Sequence, residues 1–443
     1  MSLTGTASAG LGGLPYDQSP QTYTTLGDLL NGNKDEVRDI YASIYGDQGL
    51  SGLVEVIGAK KNAAGADHVT WFEEGRLGRS VTIATGNVVT HIDKVANTDE
   101  TDALRKYDVI MREDQVLVVT NVVADEVTAY DMADGSAETA IAAGDWFVVG
   151  NAHPQGTAQP SSPFQPRITK RENPFIIVKE SFHVTGSQAS NIGWVNVGGK
   201  NMWYLKGELD ARRKFLNMRE AMMVFGQKNV PATGASIFSQ GVTGSEGYVE
   251  AVESRGTVSN TLSAATDLTG FDSLLVALDA QGLPAENALY LNKAYSLKMD
   301  TLLGAAGMDT SLGGIGAMNA FGAFNNDKDM ALNMGFQSFT RGGYTFHKHD
   351  WKLLNDPLYG GGTTMKGAII PLSIVTDAKT GNRHHSLEMN YKSAGNYSRE
   401  LEHWVEGGGV LGYNTGGEDV AKFNYRSECN LCVRGANQHA ILT

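Results

Sequence analysis

Cysteine is nearly absent, with two residues in 443, at positions 429 and 432. A chain of this length with so few thiols is not a disulfide-stapled secreted protein, and a reducing cytosol is its expected folding environment. Long apolar runs are missing as well, so no stretch is fit to cross a bilayer as a helix of about 20 residues. The opening MSLTGTASAGLGGLPYD has no basic start followed by an apolar core, and no secretory signal is expected. Basic charge is the minority sign, with 36 Lys and Arg against 49 Asp and Glu and a net charge of −13. No Lys/Arg cluster has the density of a tight DNA binder. The short catalytic signatures are also lacking: there is no Gly-Lys-Ser/Thr phosphate loop, no zincin-type His-Glu pairing and no nucleophile elbow. No internal repeat of solenoid period occurs.

Glycine is what the chain has in excess, at 53 of 443 residues against about 7% in an average protein. With ordinary apolar content, this predicts many turns and long loops. The negative charge is concentrated: Thr98–Gly150 holds 12 acidic and 3 basic side chains, a net of −9. That segment is expected to face solvent, and the rest of the chain is close to balanced.

The stretch around which the chain is organised is KGELDARRKFLNMREAMMVFGQK, Lys206–Lys228. Ala211, Phe215, Met218, Met222 and Phe225 recur at three- and four-residue steps, the stripe of a helix buried against a sheet. Glu208 and Asp210 precede Arg212 and Lys214 by four residues, the favourable order for helix ion pairs. Upstream, Met1–Thr25 has no pattern of its own and is ordered only if a partner holds it. A short helix is expected over Asn33–Tyr45, with Asn33 and Glu36 in a capping-box arrangement. Residues 51–86 alternate and read as one long β-hairpin or arm, with Arg76 and Arg79 in its Gly-rich portion. Lys106–Asn151 reads as an inserted β module of four short strands, a small sandwich or barrel.

Beyond the long helix, Gly234–Thr261 is loop-rich with a strand candidate at Gly247–Val252. Thr269–Leu283 is an amphipathic helix with Phe271, Leu274, Leu275 and Leu278 on one face. Ala288–Leu291 is a buried strand, and Ala294–Leu303 is a second helix. Ser311–Asn326, which includes Phe321 and Phe324, has the composition of a loop pressed against a neighbour. Strands follow at YTFHKHD, GAIIPLSIVTD, HSLEMNYKS and Asn424–Val433. The fold class is α+β.

Three weak constellations could carry chemistry. Cys429 and Cys432 form a C-x-x-C, but the surroundings read as strand, where residues three apart point to opposite faces. His347 and His349 share a strand face, with His384, His385, Asp350, Asp356 and Asp377 not far along the chain. A metal-dependent hydrolase built on them would be the enzymatic reading. Asp131–Gly135, DMADG, starts like a calcium loop but lacks its closing Glu and reads as a hairpin turn. None of these is a catalytic site, so no catalytic residue, metal or cofactor is assigned.

Three segments carry a resemblance: YLKGELDARRKFLNMREAMMVFG, NYSRELEHWVEGGGV and the tail EDVAKFNYRSECNLCVRGANQHAIL. Together with the order of elements, they resemble major capsid proteins of tailed phages with the Hong Kong 97-like fold, those of short-tailed and crAss-like phages in particular. The resemblance implies an N-terminal arm at 1–53 and an extended loop at 54–205 carrying the module at 106–151. It implies a spine helix with peripheral strands at 206–268, an axial α/β domain at 269–396 and closing peripheral strands at 397–443. It further implies hexamers and pentamers in an icosahedral shell around double-stranded DNA, without sequence-specific contact. Portal, scaffolding and decoration proteins are the implied partners, with assembly in the bacterial cytoplasm, no membrane and no enzymatic activity. Subunit contacts are expected at Leu11, Leu14, Tyr16, Arg76, Arg79, Arg212, Arg213, Phe321 and Phe324. A shell protein gains from long arms and bend-permitting glycines, because its shallow contacts must serve copies at different angles. An encapsulin-type compartment shares this fold and is the near alternative; a tail or adhesin protein is the other.

Overall fold

The computed structural model describes residues 60–64, 66–74, 80–85, 91–94, 104–123, 126–136, 144–159, 168–187, 203–229, 242–263, 268–306, 338–357, 363–372, 374–376, 383–394, 397–407 and 417–443. The chain divides into two compact units, one of residues 1–70 and 172–443 and one of Trp71–Arg171. Strand β1 (Lys60–Ala64) is followed by β2 (His68–Glu74), which pairs with β9 (Ile168–Pro174) in a two-stranded ribbon.

The smaller unit is a closed barrel. Its strands are β3 (Ser80–Thr85), β4 (His91–Lys94), β5 (Asp108–Arg112), β6 (Gln115–Val123), β7 (Glu126–Asp131) and β8 (Gly144–Asn151), in the order β3-β4-β7-β6-β5-β8. Alternation fills the interior with Val81, Ile110, Leu117, Val119, Val127, Ala129 and Trp146. Closure leaves no open edge. The two-residue turn between β5 and β6 places Glu113 at φ 52°, the left-handed region such turns require. The inserted module therefore begins near Ser80. Residues 51–86 are not one hairpin: β1 joins a distant strand in parallel, β2 pairs with β9, and β3 closes the barrel. Alternation marks a strand and which of its faces is apolar, but it does not name the partner.

In the larger unit, β10 (Ile176–Thr185) leads to the 23-residue helix α1 (Trp203–Phe225), then α2 (Tyr248–Arg255) and β11 (Thr257–Ser259). Helix α2 falls where the sequence suggests a strand. Its spacing buries Tyr248, Ala251 and Val252 on one side, at steps of three and four. Next come α3 (Thr269–Ala280), β12 (Glu286–Leu291) and α4 (Lys293–Ala306). Asn292 caps α4, its side-chain oxygen accepting the Tyr295 amide at 2.8 Å. The chain continues through β13 (Ser338–Arg341), β14 (Tyr344–Asp350), the one-turn α5 (Lys352–Asn355), β15 (Gly367–Pro371) and the pair β16 (Ile374–Thr376) and β17 (Arg383–His385). It closes with β18 (Leu387–Ala394), β19 (Tyr397–Ser398), β20 (Glu402–Glu406), β21 (Val420–Val433) and β22 (Ala440–Leu442).

Two sheets result. The first has the order β1-β18-β21-β10, with β19 on β18 and β20 on β21. Strands β18 and β20 share one side of β21 end to end, while β10 runs antiparallel along the other. The second has the order β11-β22-β15-β12-β14-β13. Its central strands β12 and β15 are apolar almost throughout, as strands covered on both faces are. One face, with Ala288, Tyr290, Ala368 and Ile370, joins the core that contains α1, α2 and the first sheet. The other, with Leu289, Leu291 and Ile369, packs on α3 and α4 through Phe271, Leu274, Leu278, Met299 and Leu302.

These sheets cut across the boundaries expected from the sequence. Strand β18 lies in the first sheet, not within an axial block ending at 396. Strands β11 and β22 lie in the second sheet, so the closing segment after 397 serves both. Three-residue strands carry too little periodicity to be assigned without their partners.

Candidate assembly surfaces

Helix α1 presents two faces. Phe215, Met223 and Val224 are buried, with Phe215 against the Tyr425 ring at a centroid distance of 5.9 Å. Gly207 lies where a Cβ would run into the Phe182 ring of β10, so its missing side chain lets helix and sheet approach. On the outward side Arg212, Arg213 and Lys214 are exposed, and Lys214 reaches Glu180 of β10 at 2.9 Å. Two of the nine expected contact residues, Arg212 and Arg213, are thereby placed on an open, cationic helix face. Leu11, Leu14, Tyr16, Arg76, Arg79, Phe321 and Phe324 lie outside the described residues, as does the Asn33–Tyr45 helix.

The face of the first sheet away from α1 is polar and cross-linked by charge. Glu402 of β20 receives Arg426 of β21 directly opposite it, and Arg426 also lies 5.0 Å from the Trp404 ring centroid. Trp404 donates through Nε1 to Glu406 at 3.2 Å. Glu428 is held by Arg399 and by Lys392 at 3.2 Å, and Lys392 reaches Asp67 at 2.6 Å. Arg434 pairs with the buried Glu388. Strand β10, at the end of this sheet, offers Ile177, Lys179, Ser181 and His183 outward. The Trp404–Arg426–Glu402 group was not singled out from the sequence. Its signal was the alternation in ELEHWVE, legible only once β20 is known to lie on β21.

Strand parity decides the cysteines. Cys429 faces the core with Tyr391 and Leu431, whereas the Cys432 sulfur, on the opposite face, accepts from Asn390 at 3.2 Å. Burial pushes both thiols up to about 12, which leaves them protonated and inert. His349 stacks on Tyr290 at 5.2 Å; burial, then His347, lowers its pKa. Asp350 pairs with Lys293 at 2.6 Å. Among the described residues no three His, Cys, Asp or Glu side chains converge as metal ligands. Asp131 accepts the Ala133 amide at 2.6 Å and Asp134 the Ser136 amide at 2.8 Å, so DMADG forms turns on itself. An open depression of about 920 Å³ is lined by Glu253, Thr261, Ser263, Thr363, Thr364 and Lys366. It brings together hydroxyls, the Glu253 carboxylate and the Lys366 ammonium. Among the described residues no helix is long and apolar enough to cross a membrane.

No protein-family model matches the chain, and no curated protein does. Solved structures overlap it over nearly its whole length. The capsid of the cyanophage P-SCSP1u covers 96% of this chain and 95% of its own, at 8% identity and a TM-score of 0.41. A structure of Gordonia phage Cozz covers 93% and 91%, at 8% identity and a TM-score of 0.43. The capsid of a native GTA particle covers 94% and 95%, at 8% identity and a TM-score of 0.38. These overlaps are long in extent and loose in superposition.

Proposed function

We propose that this chain is the major capsid protein of a tailed phage, assembling as hexamers and pentamers into an icosahedral shell around double-stranded DNA. One observation carries the reading. A 23-residue amphipathic helix backs a sheet whose strands come from residues 60–64, 176–185, 387–394 and 420–433, on both sides of that helix in the chain. An extended region upstream, a spine, a central α/β body and strands returning at the end form the order that the sequence resemblance implies for the Hong Kong 97-like fold. In that frame the first sheet with α1 is the peripheral domain, and the second sheet with α3 and α4 is the axial domain. The barrel is an insertion in the extended loop.

The charge balance fits a container, because a strongly basic lining would grip the packed genome and oppose its release. Portal, scaffolding and decoration proteins belong to this reading, as does a place in the virion after assembly in the host cytoplasm. The protein acts by contact and not by chemistry. Deleting Met1–Thr25 tests it: the variant keeps its circular dichroism but sediments as small species where the full chain sediments as rings or shells. Normal particles from the deletion would count against the arm's role.

A further inference from the structure

The outside of the barrel carries an apolar row that its interior packing does not require. Phe147 of β8 lies directly opposite Met111 of β5, and Met111 lies opposite Val116 of β6. The Val116 carbonyl in turn accepts the Met132 amide at 3.0 Å, which extends the row past the end of β7. Directly paired residues share a face, with Cβ atoms about 4.5–5.5 Å apart, so these side chains form one continuous strip. The interior of the same strands is already filled by Trp146, Ile110 and Leu117, all fully buried. The strip, by contrast, is open to solvent: Phe147 is 56% exposed, Met132 51% and Met111 38%, with Val149 beside Phe147 at 62%. A run of large apolar side chains on one outer face marks an interaction site.

Its rim selects the partner. Glu113 and Asp114 occupy the exposed turn next to Met111, Asp145 lies two residues before Phe147, and Asp134 two after Met132. The segment around them has a net charge of −9 between Thr98 and Gly150. Two copies of this face would bring like charges together around the apolar contact, which penalises self-pairing. A polypeptide with apolar side chains flanked by lysines or arginines satisfies both the strip and its rim. We propose that the Phe147–Met111–Val116–Met132 strip is the docking surface for such a cationic amphipathic segment of a different protein. The inference stands independently of the shell reading, since it concerns the barrel alone.

The test uses the full chain and a short fluorescein-labelled peptide with a leucine–valine centre flanked by lysines, followed by anisotropy. The expected result is saturable binding, weakened by salt, and reduced about tenfold or more by Phe147→Ser. The same peptide with glutamates for lysines does not bind. Met132→Ser, at the far end of the strip, is the second variant, and an unchanged circular dichroism spectrum and thermal midpoint report an intact fold in each. Equal binding by wild type and both variants overturns the proposal, as does equal binding of the glutamate-flanked peptide. A fall in the oligomeric mass of the chain itself on Phe147→Ser would assign the strip to a second copy, and also overturns it.

Discussion

Gly247 donates its backbone N–H to the Gly226 carbonyl at 2.9 Å, joining the end of α1 to the start of α2. A Cβ on Gly247 would lie 2.7 Å from the Gly226 nitrogen, 2.8 Å from the Gly226 oxygen and 2.9 Å from the Val224 oxygen. All three are backbone atoms and none can rotate away. Gly247→Ala must therefore push the two helices apart, at about 1–3 kcal/mol as overpacking costs. Urea unfolding checks this; an unchanged midpoint and slope would show that the junction has slack.

Asn173 ties three remote segments together. Its side-chain amide donates to the Glu246 carbonyl at 2.9 Å and the Leu431 carbonyl at 2.7 Å, and its oxygen accepts the Glu246 amide at 2.8 Å. Asn430 donates to its carbonyl at 2.9 Å, and all of this is buried. Asn173→Ala strands several backbone groups away from water, each worth about 1–3 kcal/mol. A thermal midpoint within error of wild type would contradict that, and Asn173→Asp, which turns a donor into an acceptor, is expected to be as damaging.

The barrel can be removed only as a whole. Replacing Trp71–Arg171 by a short Gly-Ser linker should leave the larger unit folded, because β2 and β9 are hydrogen-bonded neighbours where the chain leaves and returns. Removing Lys106–Asn151 alone takes β5–β8 and leaves β3 and β4 paired only with each other, exposing strand edges that aggregate. Circular dichroism and light scattering separate the two; loss of helix signal in the whole-unit deletion would refute independence.

His439 is fully buried against the Tyr248 ring, and burial lowers its pKa to about 3. It is neutral in the fold and protonated in the unfolded chain below about 6.5. Its contribution is therefore fully present above that value and declines as pH falls towards 3, by up to about 1.4 kcal/mol per pH unit. His439→Leu should flatten the fall in unfolding midpoint between pH 7 and pH 4. An identical fall in both proteins would place the acid sensitivity elsewhere.

What the sequence makes legible is what repeats locally. Phe271, Leu274, Leu275 and Leu278 mark the buried face of α3, and the alternation around Trp146 marks a barrel strand. Cys429 and Cys432 are separable by parity alone. What needs partners is not legible. Strands β3 and β4 look like any hairpin until β7 and β8 close on them, and β11 and β22 are too short to show a period. Tyr248–Arg255 has valines and a tyrosine that suit a strand, and the contact with α1 decides for helix. Of the contact residues expected from sequence, Arg212 and Arg213 could be located because a helix has a computable outer face. The Met111–Phe147 strip needed the register between β5 and β8.

The central claim is a shell, and imaging tests it most directly. The purified full chain, alone and co-expressed with the neighbouring proteins of its genome, should give rings of five and six or closed particles by negative-stain microscopy, with matching light-scattering mass. A stable monomer or dimer under every condition would contradict the account and return attention to the His347–His349 strand.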